Sequence, residues 1–258
     1  TWSQPYGNEW IKFNQRYFKI KLAENGVYRI DAAALQQAGV PEPYYTTAFD
    51  FIKIYRRGQE IAVRKVDNSG SLDYLEFYGE KNDGELDTQL YEDPSYQIHP
   101  YYSLFTDTAS YFLTWRQTEI GKSINNAPAL GDNLGYSPEP YHLNELLNVQ
   151  TNVYSPGTKF GFGSELSSGE YVEGEGWTGS FFTKNQSQTF TFNLGDFDNT
   201  GPVPSIEIGL IGGNSLTHKS QIRVGPSDVS LRNLDTATFN GWTQTIHSGS
   251  LAWSDVNG

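Results

Sequence analysis

The sequence predicts an all-β protein with two β-sandwich-like domains and one short helix near the N-terminus. Three observations favour this class: aromatic residues make up 15% of the chain, 26 of its 258 residues are glycine, and short alternating apolar segments are separated by turn residues. Aromatic side chains fit half-buried pleated surfaces, and glycine supplies the positive φ angles that many turns require. We expect an N-terminal β domain over residues 1–119, a linker over 120–140 and a second β-sandwich over 141–258, truncated at its C-terminus.

The first strands are predicted close to the N-terminus. Phe18, Ile20 and Leu22 alternate with other residues and would share one face of a strand. Residues 24–26 (Glu-Asn-Gly) are a turn signal, and residues 27–30 would return as a second strand. This pattern predicts a β-hairpin with a glycine-containing loop.

One short helix is predicted directly after this hairpin, over residues 31–38. Asp31 can accept a free backbone N–H at the N-terminus of the helix. Gly39 can adopt the left-handed conformation that ends a helix, and Pro41 cannot continue it. At about two turns the helix is too short to be stable alone, so we expect it to pack onto the hairpin.

Further strands are predicted from apolar and polar residues that alternate between turn signals. The stretches 79–108 and 120–140 are polar or rich in Gly, Pro and Asn, which is typical of loops and connections. The other predicted strands are 49–57, 60–66, 72–78, 110–117, 176–183, 187–194, 205–211 and 220–224, with a further candidate at Leu231.

Composition excludes several classes of function. The net charge of −12 argues against binding to nucleic acid or to an anionic membrane surface, because both attract Lys and Arg. The chain has no Cys, which excludes a disulfide, a thiolate metal site and a cysteine nucleophile within it. No apolar run approaches the ~20 residues of a membrane span. Because the chain also has no Met, we expect it to be a fragment of a longer protein.

No familiar catalytic motif is present. The sequence lacks a G-x-S-x-G elbow, an H-E-x-x-H zinc helix and a P-loop. The spacing of its four histidines shows no metal-type pairing, and surface or hydrogen-bonded histidines are the expected outcome, although one of them could still meet a Ser and an Asp in space. The carboxylates at 165, 170, 173 and 175 are better explained as an acidic loop than as a glycosidase pair. The histidines are His99, His142, His218 and His247.

Calcium is the strongest metal candidate in the sequence. Residues 67–73 place side-chain oxygens at alternate positions around a glycine, loosely like an EF-hand loop, and residues 82–87 repeat the theme. Neither stretch has the full pattern, and Asx–Gly stretches are also ordinary hairpin turns. The candidate calcium ligands are Asp67, Asn68, Asp73, Asp83 and Asp87.

Tryptophans in the C-terminal half suggest a different kind of site. Trp177, Trp242 and Trp253 could stack on sugars from a sandwich face. A Trp in a β-sandwich is more often part of the core. Both interpretations stay open at the level of sequence.

Five blocks of sequence resemble the opening of large gingipain-type proteins, a family that includes the sortase of the type IX secretion system in Bacteroidetes. The first block reads FKIKLAENGVYRI and the second LQQAGV, and together they resemble a strand pair that leads into a short helix. The five blocks cover residues 18–30, 35–40, 70–79, 107–114 and 174–177. The resemblance implies β-rich domains that lie N-terminal to a caspase-like cysteine peptidase domain, in a secreted or cell-surface setting.

Three functions are compatible with these observations. The first is a non-catalytic accessory region of a gingipain-like peptidase or type IX secretion protein, located outside the cell or on its outer surface, with the downstream peptidase domain of the same polypeptide as its partner. The family's catalytic Cys and His belong to that later domain, so no catalytic residue is assigned in this chain. The second is a carbohydrate-binding β-sandwich module. The third is a hydrolase with an unrecognised site.

Overall fold

The structure is a computed structural model that describes residues 8–124, 137, 139–160, 166–195 and 197–256. These residues are mostly β-strands in several antiparallel sheets with a few short helices, which confirms the all-β class. Contacts between Cα atoms divide the chain into two units: unit 1 comprises residues 1–82 and 105–135, and unit 2 comprises 83–104 and 136–258. Residues 83–104 therefore group with the C-terminal half, whereas most of the predicted linker lies outside the described residues. The predicted domain boundaries stay a prediction.

The residues of unit 1 that the structure describes form two antiparallel sheets. One has four strands in the order β1-β7-β3-β4, and the other has three in the order β2-β6-β5. Hydrophobic residues from both sheets and from α1 form one buried cluster, which gives the unit a sandwich-like core. Its elements are β1 (Phe18–Leu22), β2 (Gly26–Asp31), α1 (Ala32–Ala38), β3 (Ile52–Arg56), β4 (Gln59–Ile61), β5 (Arg64–Asn68), β6 (Ser71–Gly79) and β7 (Ala109–Trp115), with a short 3-10 turn at Phe49–Phe51.

The predicted hairpin of β1 with β2 is wrong, although both strands exist. β1 pairs with β7, with Ile20 opposite Tyr111, and β2 pairs with β6, with Ile30 opposite Leu75. Residues 23–25 carry the chain from one sheet to the other. Each strand is amphipathic, so each can bury its apolar face from its own side of the core, and local alternation does not distinguish this arrangement from a hairpin.

The helix follows the prediction except at its N-terminus. Gly39 has φ 88°, and its N–H donates to the carbonyls of Gln36 and Leu35, as expected for a left-handed end. Leu35 is buried in the core of unit 1. The Asp31 carboxylate makes no capping hydrogen bond and instead accepts one from Nε of Arg29 at 2.8 Å. The predicted cap is therefore replaced by an exposed ion pair.

The described residues of unit 2 form four antiparallel strand pairs: β8 with β11, β9 with β10, β12 with β15 and β13 with β14. The strand candidate at Leu231 lies directly before β14, which begins at Arg232. None of the described helices in the chain is long and apolar enough to cross a membrane. The elements of unit 2 are β8 (Val153–Pro156), β9 (Lys159–Phe160), β10 (Leu166–Ser167), β11 (Glu175–Thr178), β12 (Ser205–Ile211), β13 (Thr217–Val224), β14 (Arg232–Asn240), β15 (Gln244–Ser250) and α2 (Trp253–Val256), with 3-10 turns at Glu85–Leu90 and Pro94–Tyr96.

Two predicted strands of unit 2 differ from the structure. Residues 187–194 form no strand, and the strand predicted at 176–183 is reduced to β11. Phe190 and Phe192, which alternate with threonines, are 45% and 40% exposed. Alternation determines which side chains share a face, but a strand also needs a neighbouring segment to receive its backbone hydrogen bonds.

Candidate functional site

The first group of predicted calcium ligands lies at the tight turn between β5 and β6. Ser69 and Gly70 have φ 55° and 82°, the pattern of a two-residue hairpin turn. The Asp67 carboxylate accepts a hydrogen bond from the N–H of Gly70 at 3.0 Å and so stabilises the turn. Asn68 accepts from the hydroxyl of Ser69, and Asp73 lies exposed in β6.

The second group lies in unit 2, where both carboxylates support local structure. Asp83 accepts the N–H of Glu85 at 3.1 Å, and buried Asp87 accepts the N–H of Leu104 at 2.8 Å. Among the residues that the structure describes, no group of three or more His, Cys, Asp or Glu is placed to hold a metal ion. Calcium binding stays a prediction for experiment.

The acidic stretch around residue 170 also contributes to local structure. Glu173 accepts the N–H of Gln244 at 3.1 Å. Glu175 accepts the hydroxyl of Tyr154 at 2.7 Å and the N–H of Val172 at 3.2 Å. Glu165 lies outside the described residues. The carboxylates of Glu173 and Glu175 therefore stabilise local turns and strands, whereas Glu170 is exposed.

One chemically distinctive arrangement in unit 2 is a chain of hydrogen bonds through His247. Oγ of Ser220 lies 2.7 Å from Nε2 of His247, and Nδ1 of His247 lies 2.6 Å from Oδ2 of Asp235. The three side chains come from the consecutive strands β13, β14 and β15. The two pairs of strands are thereby joined through polar side chains, since β13 pairs with β14 whereas β15 pairs with β12.

The protonation of this network follows from its partners. A carboxylate only accepts hydrogen bonds, so Nδ1 of His247 carries the proton that is donated to Asp235. In the neutral imidazole Nε2 is then an acceptor, and the Ser220 hydroxyl donates to it. The hydrogen bond from His247, assisted by one from the N–H of Thr236, lowers the pKa of Asp235. Ser220 therefore has a base in contact with its hydroxyl, and that base is oriented by an ionised carboxylate.

Burial differs among the three groups. His247 is 2% exposed, Ser220 is half-buried, and the Asp235 side chain is 39% exposed. No sequence motif predicts this site, because its members are separated by 15 and 12 positions and meet only through strand pairing. The three residues lie on successive strands, and this placement becomes visible only when the strand registers are known.

The other histidines are not part of this network. Nε2 of His218 contacts the carbonyl of Gly241 at 3.0 Å, and His99 stacks on Tyr101, where burial lowers the pKa of His99. His142 is exposed. Surface or locally hydrogen-bonded histidines were expected, and His247 differs from them because it bridges a hydroxyl and a carboxylate.

Unit 1 contains a cavity of about 260 Å³ beside a buried lysine. The Nζ of Lys53 lies 3.0 Å from Glu119 and 3.4 Å from Glu60, and the lysine side chain is only 7% exposed. Burial opposes the charge of Lys53, but the hydrogen bond to Glu119 and the charge of Glu60 outweigh it, so the pKa of Lys53 is raised. On the same wall Trp10 stacks on Tyr55 with ring centres 5.0 Å apart. The cavity thus combines an internally paired charge with packed aromatic rings.

The three tryptophans considered as sugar platforms all contact other parts of the chain. Trp177 packs edge-on against Tyr154, and its Nε1 donates to the carbonyl of Leu104 at 3.2 Å. Trp253 stacks on Phe197, and Nζ of Lys159 lies 6.0 Å from the ring centre of Trp242. Each ring is half-buried. These contacts favour a packing role.

Comparison with known proteins gives a sparse result. No family model and no curated protein matches the chain. A solved structure described as dimeric latent PorU from Porphyromonas gingivalis is similar, with a TM-score of 0.38 and 15% sequence identity. The likeness covers 91% of this chain and 22% of the other, so this chain spans about a fifth of the length of that protein. A TM-score of this size is too low to support an argument about fold or function.

Proposed function

We propose that this chain is an accessory β-rich region of a larger gingipain-like surface protein and contributes no residue to a cysteine peptidase reaction. The observation that carries the proposal is the position of the sequence blocks that resemble the gingipain type. The blocks at 18–30, 35–40, 70–79 and 107–114 coincide with β1, β2, α1, β6 and β7. Four of the five blocks therefore belong to the framework of unit 1, and the fifth, at 174–177, overlaps β11 of unit 2.

The side chains in these blocks support this interpretation. Leu22, Leu75 and Leu113 are 4%, 0% and 1% exposed, and they belong to the same core. Alternate positions, such as Val27 at 68%, face solvent. A pattern of this kind specifies packing between two sheets, which is what an accessory or spacer domain requires. The buried hydrophobic residues of these blocks are Leu22, Leu35, Val40, Leu72, Leu75, Phe77, Ala109, Tyr111 and Leu113.

The peptidase chemistry implied by the family would come from elsewhere in the same polypeptide. The chain has no Cys, so a cysteine nucleophile has to be supplied by another segment. We propose a peptidase domain of the same polypeptide as the partner of this region. An extracellular or outer-surface location is part of the proposal.

The proposal is tested on the native polypeptide. An antibody raised against this chain should detect, on intact cells, a polypeptide larger than 29.0 kDa that also reacts with a cysteine-directed peptidase probe. Because this chain cannot react with the probe, any labelling reports a thiol in another segment. A polypeptide that lacks Cys, or that is found only inside the cell, would overturn the proposal.

A carbohydrate-binding module is the alternative, and it has less support. Trp177, Trp242 and Trp253 already contact side chains of unit 2, so a sugar would have to displace those contacts or use the remaining ring faces. A glycan array with the wild-type chain and with Trp242→Ala tests it. Saturable binding that the substitution removes would favour the module.

A further inference from the structure

We propose that Ser220, His247 and Asp235 form an acyl-transfer site in unit 2, with Ser220 as nucleophile, His247 as general base and Asp235 as the positioning residue. The site is separate from the accessory role proposed above and would add an activity to it. It also departs from the expectation that this chain has no catalytic residue. Its support comes from the distances between the three side chains, from their attachment to paired strands and from the chemistry that this order of groups allows.

The geometry matches what nucleophilic catalysis by serine requires. A serine hydroxyl is a weak nucleophile unless a base lies within hydrogen-bond reach, and the base works best when a third group fixes its tautomer. The distances of 2.7 Å from Ser220 to His247 and 2.6 Å from His247 to Asp235 meet both conditions. The same constellation occurs on unrelated folds, so the order of residues in the sequence is no obstacle.

Strand pairing holds the three groups in place. Ser220 lies opposite Ala237, Asp235 opposite Ile222, and His247 opposite Ile208. A register shift lies between Ile222 and Arg223, directly beside Asp235. Bulges of this kind re-aim side chains and are common next to active sites. The site is thus attached to regular strands, which fix side chains more firmly than loops do.

The reaction needs only an ester and water. Oγ of Ser220 attacks the carbonyl carbon of the ester while its proton passes to Nε2 of His247. The bond from carbon to the leaving oxygen then breaks, and Nε2 returns the proton to that oxygen. Water attacks the acyl group on Ser220, loses a proton to Nε2 and releases the carboxylic acid, and Ser220 regains its proton. Asp235 stays ionised and stabilises the imidazolium throughout.

The surroundings indicate the class of substrate. Ile208, Ile222 and Ala237 lie directly opposite the three groups in the strand registers, so these neighbouring side chains are apolar. The net charge of −12 repels anions. Because Ser220 is half-buried, a small group can approach its hydroxyl more easily than a polymer can. These features favour esters of small uncharged carboxylic acids.

A fluorophosphonate probe tests the nucleophile directly in the whole chain. The probe phosphonylates an activated serine with loss of fluoride, and peptide mass spectrometry identifies the labelled residue. We expect labelling at Ser220 that Ser220→Ala abolishes, while Ser248→Ala, an exposed neighbour of His247 on β15, stays labelled. If the wild-type chain is unlabelled while a known serine hydrolase in the same tube is labelled, the proposal is overturned and the network serves packing alone.

A second variant separates positioning from folding. Asp235→Asn keeps the shape of the side chain but favours the wrong imidazole tautomer, so labelling of Ser220 should slow by roughly a hundredfold or more at neutral pH. The melting temperature of the same sample shows whether the variant is folded. If folded Asp235→Asn is labelled at the wild-type rate, Asp235 does not position His247. Failure of labelling leaves the cysteine-probe experiment unaffected, so the two proposals fail independently.

Discussion

Arg232 and Asp255 form a two-point ion pair that ties β14 to the short helix α2. Nε of Arg232 lies 2.9 Å from Oδ1 of Asp255, and Nη2 lies 2.6 Å from Oδ2. The carboxylate also accepts the N–H of Ala252 at 2.7 Å, and its side chain is only 5% exposed. A buried carboxylate with several charge-assisted donors is costly to disrupt, because the remaining groups lose their partner.

Replacement of Asp255 should destabilise unit 2. Asp255→Ala removes the acceptor for Arg232 and for Ala252, so we expect a clear fall in the melting temperature, on the order of 5 °C. Asp228→Asn also removes one negative charge, but at an exposed position, so it serves as the control. We expect little change in its melting temperature. Differential scanning calorimetry of the whole chain measures both. Equal melting temperatures for the two variants would show that the ion pair adds no stability.

Acid should destabilise the same unit. The hydrogen bonds from Arg232, together with the N–H of Ala252, outweigh burial and lower the pKa of Asp255, and His247 lowers that of Asp235. A carboxyl group whose pKa is lowered by folding contributes stability that is fully present above its ordinary value of about 4 and is lost as the pH falls through the folded-state pKa. We therefore expect the melting temperature to decrease as the pH is lowered below about 4. In Asp255→Asn this decrease should be shallower than in the wild-type chain. If the melting temperature of Asp255→Asn decreases with pH as steeply as that of the wild-type chain, Asp255 does not contribute to the acid sensitivity.

The core of unit 1 should be sensitive to truncation where the gingipain-like blocks are buried. Leu75 is 0% exposed on β6, so Leu75→Ala should cost about 2–5 kcal/mol in the free energy of unfolding. Val27 lies on the neighbouring strand β2 but is 68% exposed, and Val27→Ala should change stability by less than about 0.5 kcal/mol. Urea denaturation followed by tryptophan fluorescence measures both. Similar costs for the two variants would argue against this two-sheet core.

The pairing of β1 can be tested with cysteines, because the chain has none of its own. Lys21 lies opposite Ser110 on β7, so Lys21→Cys with Ser110→Cys should form a disulfide in air. Lys21→Cys with Arg29→Cys would be bridged only in the hairpin of β1 with β2, where a loop of residues 24–26 places these two positions opposite each other. Thiol counting and non-reducing mass analysis distinguish the two outcomes. A disulfide in the second pair alone would refute the strand order.

Calcium binding at the turn between β5 and β6 is a prediction that can be tested by measuring the melting temperature with and without calcium. If the loop binds calcium, millimolar calcium raises the melting temperature relative to EDTA, and Asp67→Asn removes the increase. The Asp67 carboxylate also supports the turn through Gly70, so the variant should melt slightly lower in EDTA as well. An unchanged melting temperature with calcium would exclude the site.

The sequence was sufficient where local rules decide the structure. Strand β6 and the left-handed Gly39 follow from alternation and from the steric freedom of glycine, and both appear as predicted. The strand predicted at 187–194 does not appear, because its alternation of Phe and Thr says nothing about a partner segment. The Asp31 cap also differs, since Arg29 competes for the same carboxylate.

By itself the sequence determined the all-β class, most of the strands and the absence of cysteine chemistry, because these depend on composition, period-two alternation and turn residues. Only the tertiary structure decided that β1 pairs with β7 rather than with β2, and that Ser220 and Asp235 meet at His247. Such relationships join residues far apart in the chain. They are set by the sum of many packing and hydrogen-bond contributions across sheets, which no local pattern contains.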